Sequence, residues 1–235
     1  MRAAFLIFLA VFSLTLAGCN QGSVVQEPGH GADEMALHFT PLEKVDEQVG
    51  ELLTENVAEI LQETPWTEAV FFIYSKPNDP DQGLYGGVRI GQKQYQFGQI
   101  GYGRNTDAIT MTPVQAFGEG WMKVEGFRGA NYRVTYYLGV EKEHPFVFLF
   151  VDGGSRYEGE LEGEQVIIGS YGLTATFFSS IYKREGNTIV YADLNQQISA
   201  DSVRFTDAHE WEIRSQPNTE DRIYTYRKGR LVPDH

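Results

Sequence analysis

The stretch AVFFIYS, from Ala69 to Ser75, decides the fold that we predict for this 235-residue chain. β-Branched and aromatic side chains favour strands. Because successive positions are apolar, both faces of this strand should be buried, as in the interior of a sheet. Farther along the chain, Val88–Ile90 and Gln94–Phe97 flank Gly91-Gln92-Lys93. This arrangement predicts a β-hairpin with its turn at the glycine.

Short strand candidates continue to residue 226, with turn residues about every ten positions. This spacing predicts an antiparallel sandwich, a barrel or a propeller-like meander. The segment from Ile181 to Gly186 resembles the segment from Ile223 to Gly229 at an offset of 42 residues, close to the roughly 40–45 residues of a propeller blade. The later candidates are Trp121–Glu125, Tyr132–Leu138, Phe146–Val151, Gln165–Ile168, Thr174–Tyr182, Thr188–Tyr191, Ser202–Phe205, Trp211–Arg214 and Ile223–Tyr226.

Residues 41–63 have the spacing of an amphipathic helix. Apolar side chains recur at steps of three and four residues from Leu42 to Leu61, and acidic side chains occupy the opposite face. Thr40 before Pro41 is a typical helix start, and Thr64-Pro65 is a typical stop. We expect the apolar stripe to pack on the sheet; a partner-binding helix is the alternative. The predicted fold class is therefore α+β, mainly antiparallel β, with one N-terminal helix.

The N-terminus has the pattern of an export signal. Arg2 precedes an apolar block from Ala3 to Leu16, which is too short to span a bilayer. The block ends in Leu16-Ala17-Gly18-Cys19, which resembles the lipobox of bacterial lipoproteins. The resemblance implies that Cys19 becomes the first mature residue and carries lipid on its sulfur and amino group. A plain secretory signal and a membrane span are the alternatives.

The predicted organisation follows from this signal. Residues 1–18 would be the signal peptide, residues 19–33 a lipid-anchored tether, and residues 34–235 one β-rich globular domain with strands over 66–232. Cys19 is the only cysteine, so the domain must fold without disulfides. We therefore expect a surface lipoprotein of a Gram-positive bacterium, on the extracytoplasmic face of the cell membrane.

The charge of the chain limits its partners. The formal net charge is −13, and no dense cluster of Lys and Arg occurs. Nucleic acid and anionic lipid headgroups both require such clusters, so we exclude nucleic acid and expect the membrane to be reached through the lipid at Cys19. The remaining ligand classes are a glycan, a peptide or a protein.

Aromatic side chains suggest where such a ligand binds. Flat rings on a β-surface suit glycans and peptides, although strand-face packing explains them equally well. The predicted ligand-binding residues share one Gly-rich segment, and they are Tyr85, Tyr95, Phe97 and Tyr102. Three further tyrosines follow at positions 132, 136 and 137.

An acidic segment is the candidate metal site, because Ca²⁺ takes six or more oxygen ligands. Its candidate ligands are Asp152, Glu158 and Glu160. Residues 145–172 resemble an FG-GAP or VCBS-type repeat: they keep Val151-Asp152-Gly153, Val166-Ile167-Ile168 and Gly169. Ser155-Arg156-Tyr157 stands where those repeats carry their calcium loop. A solvated acidic hairpin is the alternative, and no other cofactor is predicted.

Catalytic motifs are not evident in the sequence. The chain lacks Gly-x-Ser-x-Gly, and a lipidated Cys19 could not act as a thiol nucleophile. We therefore predict a non-enzymatic binding module at the bacterial envelope. The alternatives are a hydrolase of envelope polymers, which would use two carboxylates, and a substrate-capturing lipoprotein of a transporter. The chain lacks the βαβ alternation usual in such receptors.

Overall fold

The computed structural model describes residues 34–42, 49–103, 105–129, 132–173 and 175–234. Cys19 and the rest of the predicted signal and tether lie outside these residues. The described residues all belong to one compact unit. Three two-residue strands come first, β1 (Met35–Ala36), β2 (Thr40–Pro41) and β3 (Gly50–Glu51), followed by a 3₁₀ turn at Thr54–Asn56.

The rest of the chain forms four successive antiparallel sheets. Sheet 1 contains β4 (Glu59–Trp66), β5 (Ala69–Ser75), β6 (Gly83–Ile90) and β7 (Lys93–Tyr102). Sheet 2 contains β8 (Thr110–Ala116), β9 (Glu119–Phe127), β10 (Arg133–Glu141) and β11 (His144–Gly153). Sheet 3 contains β12 (Ser155–Leu161), β13 (Glu164–Leu173), β14 (Thr176–Glu185) and β15 (Thr188–Asp193). After the short helix α1 (Leu194–Ile198), sheet 4 contains β16 (Ser202–Phe205), β17 (Glu210–Arg214), β18 (Arg222–Tyr226) and β19 (Arg230–Pro233).

Each sheet is a meander in which consecutive strands are neighbours, the strand order of a propeller blade. The predicted antiparallel β fold is therefore confirmed. The two similar segments noticed in the sequence occupy equivalent places, because Ile181 lies on β14 and Ile223 on β18, the third strands of sheets 3 and 4. The predicted hairpin is also present: Ile90 pairs with Lys93 across a turn in which Gly91 has φ of +58°.

Alternating side chains join the sheets in chain order. On β5, Phe71 belongs to the core shared with sheet 2, whereas Phe72 packs under Leu52 on the opposite face. Tyr137 of β10 packs in the same way on Ile167 of β13, between sheets 2 and 3. A further cluster joins sheets 3 and 4 around Trp211. Both faces of AVFFIYS are thus buried, as its apolar run predicts.

The helix predicted for residues 41–63 is wrong wherever that range is described. Pro41 ends the strand β2, and the larger error covers residues 49–63. These residues form β3, the 3₁₀ turn and most of β4, and residues 43–48 lie outside the described part of the chain. Glu59–Trp66 pairs with β5 instead, and Leu61 packs on the core from that strand. Pro65 is tolerated because β4 is an edge strand, where one side needs no backbone partner. Long-range pairing therefore overrides the local helical spacing.

The three N-terminal strands extend three of the four sheets at the same place. β1 pairs with β19, β2 with β15 and β3 with β7, which are the last strands of sheets 4, 3 and 1. The last strand of sheet 2 is β11, and it has no added strand among the described residues. None of the helices in the described ranges is long and apolar enough to cross a bilayer.

Candidate functional site

A groove of about 830 Å³ runs beside β11, the terminal strand of sheet 2. Leu42 and Val49 border it where the N-terminal segment leaves sheet 3 and reaches sheet 1. Its volume lies in the range of small-ligand and peptide pockets. The other lining residues come from β11, the turn before it and the β14–β15 turn, and they are Glu141, His144, Pro145, Phe146, Val147, Phe148, Leu149, Phe150, Asn187, Thr188 and Ile189.

Stacked aromatic rings fix the floor of the groove. Phe148 lies flat on Trp121, with ring centroids 3.8 Å apart, and Phe146 meets Trp121 edge-on at 6.0 Å. Trp121 is itself held by a hydrogen bond of 3.0 Å from Nε1 to the Ala116 carbonyl oxygen. Gly139 makes room for these rings, because a Cβ there would lie 2.6 Å from Phe146 and 2.9 Å from Trp121. The rings therefore hold one arrangement before any ligand arrives.

The outer backbone edge of β11 faces the same groove. Its pairing with β10 shifts at Phe148, because Tyr137 pairs with Leu149 while Leu138 pairs with Val147. This bulge does not remove the outer N–H and C=O groups, and no strand among the described residues pairs with them. Glu141, His144, Asn187 and Thr188 are solvent-exposed and supply a polar rim.

The four predicted ligand-binding aromatics do not form one surface. Phe97 is buried between sheets 1 and 2, edge-to-face with Tyr136 at 5.3 Å, and Tyr95 packs against the same core. Tyr85 lies on the opposite face of sheet 1, beneath the Lys76 ammonium group. Tyr102 is 48% exposed at the end of β7. Strand alternation and the register shifts between β6 and β7 separate these rings.

Tyr85 instead stabilises the turn before β6. Its hydroxyl donates to Asp79 Oδ2 at 3.0 Å, and the backbone N–H groups of Asp81 and Gly83 donate to the same carboxylate. Desolvation acts to raise the pKa of Asp79, but these hydrogen bonds outweigh it and lower that pKa. The residues from Asn78 to Gly83 are therefore a turn closed by an Asx-type contact.

The three predicted calcium ligands are dispersed. Asp152 is exposed at the end of β11, Glu160 is exposed on β12, and Glu158 is bonded to Lys123 and to the Ser155 hydroxyl. Within the described ranges, no three His, Cys, Asp or Glu side chains are placed to share a metal ion. Calcium binding by this segment stays a prediction from the sequence.

Glu158 belongs to a polar network between sheets 2 and 3. Lys123 bridges Glu158 and Glu125, and the Ser155 backbone N–H donates to the buried Thr135 hydroxyl at 3.0 Å. The pKa of Tyr137 is raised, mainly by burial and further by the Glu158 charge. Lys123 and Glu158 are mostly buried, so the network joins the two sheets rather than facing a ligand.

A second surface feature, the tyrosine row, consists of Tyr132, Tyr171 and Phe178. Tyr132 and Tyr171 meet edge-on at 5.4 Å, and Tyr171 stacks on Phe178 at 4.9 Å. All three side chains are half-buried. Burial and a hydrogen bond to Asp152 raise the pKa of Tyr132. The sequence pointed to Tyr132 and Asp152 separately, but it gave no signal for Tyr171 or Phe178, because stacking of sheets 2 and 3 brings them together.

No match was found between this chain and protein-family models, curated proteins or solved structures. The chemistry of the molecule's own surfaces is therefore what indicates its function.

Proposed function

We propose that this protein is a lipid-anchored binding module on the outer face of a bacterial membrane, and that it holds an extended peptide against the outer edge of β11, which no described strand covers. One observation carries the proposal. The last strands of sheets 1, 3 and 4 each receive an added strand, whereas the last strand of sheet 2 receives none from the described residues and borders a groove of about 830 Å³.

The outer edge of β11 and the groove serve complementary purposes. Backbone groups of an edge strand can bind a further strand of any sequence, and each hydrogen bond contributes about 0.5–1.5 kcal/mol net. Side-chain selectivity then comes from the groove, where every second residue of the peptide would point at the rings of Phe146 and Phe148. The prearranged stack on Trp121 lowers the entropic cost of binding.

The lipid supports the same function by setting the location. A diacylated Cys19 would supply two acyl chains, the usual requirement for stable anchoring. The net charge of −13 disfavours adhesion to anionic headgroups, so the domain would stand away from the surface and present its groove.

The test begins with selection of peptides from a random display library, using the mature chain from residue 19 with Cys19→Ser. The best peptide is then N-methylated at one backbone position at a time, and its Kd is measured. Strand addition predicts that methylation at alternate positions weakens binding at least tenfold, whereas the intervening positions tolerate it. The intervening positions are the matched control.

Two outcomes would contradict the proposal. Methyl groups that weaken binding without a period of two would exclude strand addition. Failure to select any peptide, with the β11 amides already protected from hydrogen exchange in the protein alone, would mean that the chain occupies this edge itself.

A further inference from the structure

The tyrosine row is a rigid aromatic surface that the β11 groove does not use. Tyr171 and Phe178 are directly opposite on β13 and β14, and their rings are only 18° from parallel. Tyr132 stands nearly perpendicular to Tyr171, at 70°. Because each ring is half-buried, part of its surface is exposed while the rest is held by the protein.

The backbone at Gly153 is adapted to this arrangement. Its φ is +90°, and a Cβ there would lie 2.2 Å from Cδ1 of Tyr171. No side chain fits in that space, so the Tyr171 ring packs directly on the end of β11. A glycine at this position costs conformational entropy on folding. In return the Tyr171 ring is held in one position, so it needs little further ordering on binding.

Polar groups lie beside the rings. Asp152 is solvent-exposed, and it lies close enough to act on the pKa of both Tyr132 and Tyr171. A carboxylate has two oxygens and about four acceptor positions, so Asp152 can accept more than one hydrogen bond. The Tyr171 hydroxyl is a donor at neutral pH, as any tyrosine hydroxyl is, and burial, followed by the charges of Asp152 and Asp193, raises its pKa further.

Aromatic faces beside a carboxylate fit a pyranose ring. The sugar has an apolar face of C–H groups that stacks on an aromatic ring, and its equatorial hydroxyls require acceptors and donors at the edge. Asp152 and Asp193 place negative charge at this surface, against the positive charge of Arg128 that acts on Tyr132, and the whole chain carries a net charge of −13. Polyanions, including nucleic acids and acidic polysaccharides, would be repelled.

We propose that the tyrosine row and Asp152 form a binding site for a neutral glycan chain. Tyr171 and Phe178 stack on the sugar rings, and Asp152 accepts hydrogen bonds from their hydroxyls. None of these residues lines the β11 groove, so the glycan site does not depend on peptide binding in that groove. A protein with both sites would contact an envelope polymer and a peptide at once.

The test uses the full-length protein in a detergent without a sugar headgroup, since such a headgroup would compete. The neutral probes are the hexamers of N-acetylglucosamine and glucose, and the anionic probe is a galacturonate hexamer. Binding of each probe is measured by titration calorimetry and saturation-transfer NMR. At least one neutral hexamer should bind, and the anionic hexamer should bind at least tenfold more weakly or not at all.

Variants locate the site. Tyr171→Ala and Phe178→Ala should each weaken binding of the neutral hexamer about tenfold. Asp152→Asn, which keeps the shape of the side chain, should weaken binding of the neutral hexamer several-fold. This variant still tests the site if one of the two alanine variants fails to fold. The matched control is Tyr191→Ala, which removes a half-buried ring from another stacked pair of sheet 3 and should leave binding unchanged.

The proposal is overturned if folded wild-type protein binds neither neutral hexamer. It is also overturned if Tyr191→Ala weakens binding as much as Tyr171→Ala, or if the anionic hexamer binds best. Peptide binding lost in the Tyr171→Ala variant, with no glycan binding by the wild type, would assign the row to the peptide.

Discussion

The indole of Trp121 lies flat against the ring of Phe148, with centroids 3.8 Å apart and planes 11° apart. The two residues come from β9 and β11, which flank β10 in sheet 2. Their contact therefore crosses a whole strand, and it links the buried face of the sheet to the lining of the β11 groove. Packing in the core thus determines the shape of the proposed peptide site.

Gly139 should be intolerant of even one added methyl group. In Gly139→Ala, the new Cβ would have to displace Phe146 or Trp121, and overpacking of this kind costs about 1–3 kcal/mol. We expect the urea midpoint of unfolding to fall by a corresponding amount. Gly50→Ala is the control, because its Cβ would have no neighbour closer than 4.0 Å. Equal midpoints for the two variants would show that the rings adapt freely.

Lys123 and Glu158 should be energetically coupled. Lys123→Met leaves two mostly buried carboxylates, those of Glu158 and Glu125, without their cation, which should cost about 2 kcal/mol of stability. Glu158→Leu in the same chain should recover part of that loss, with a coupling energy of about 1 kcal/mol or more in a double-mutant cycle.

The exposed pair of Lys142 and Glu141 provides the comparison, and Lys142→Met should change stability little. Additive effects of Lys123→Met and Glu158→Leu would mean that the network does not join sheets 2 and 3.

Stability should decrease steeply above pH 10. Burial raises the pKa of Tyr182 from its ordinary value of 10.0 to about 12, and it also raises the pKa of Tyr74, Tyr137 and Tyr226. The unfolded chain therefore loses these protons first, so the stabilisation is complete below pH 10 and is lost as pH rises through the folded pKa.

The expected slope is up to about 1.4 kcal/mol per pH unit for each buried tyrosine. Urea unfolding at several pH values measures this slope. Tyr182→Phe should reduce the slope by up to the contribution of one tyrosine, about 1.4 kcal/mol per pH unit. A slope that is unchanged in that variant would show that Tyr182 titrates normally in the folded protein.

Cys19 should determine where the protein is found. Wild-type protein should incorporate labelled fatty acid and sediment with membranes, whereas Cys19→Ser should do neither, because the chain has no other cysteine. Membrane association that persists in the unlipidated variant would contradict lipid anchoring.

Local sequence patterns predicted the secondary structure correctly where both faces of a segment are apolar. Ala69–Ser75 is the example, since such a run fits only a strand that is covered on both faces. The patterns failed at residues 49–63, where helical spacing coincided with strands that pair with distant partners such as Phe72 and Tyr95. The tyrosine row could not be predicted from the sequence either, because Tyr132 and Tyr171 meet only after sheets 2 and 3 stack. Hydrophobic periodicity indicates which faces of one segment are apolar, but it does not identify the segment that covers those faces.

Hydrogen exchange at the amides from Phe146 to Phe150, followed by NMR in the mature chain, tests the central claim most directly. Strand addition predicts that the outward-facing amides of β11 exchange rapidly alone and become protected when a selected peptide is added. Exchange on β7, β15 and β19, which already carry added strands, should stay unchanged. Rapid exchange at β11 with the peptide bound, or full protection without it, would contradict the proposed function.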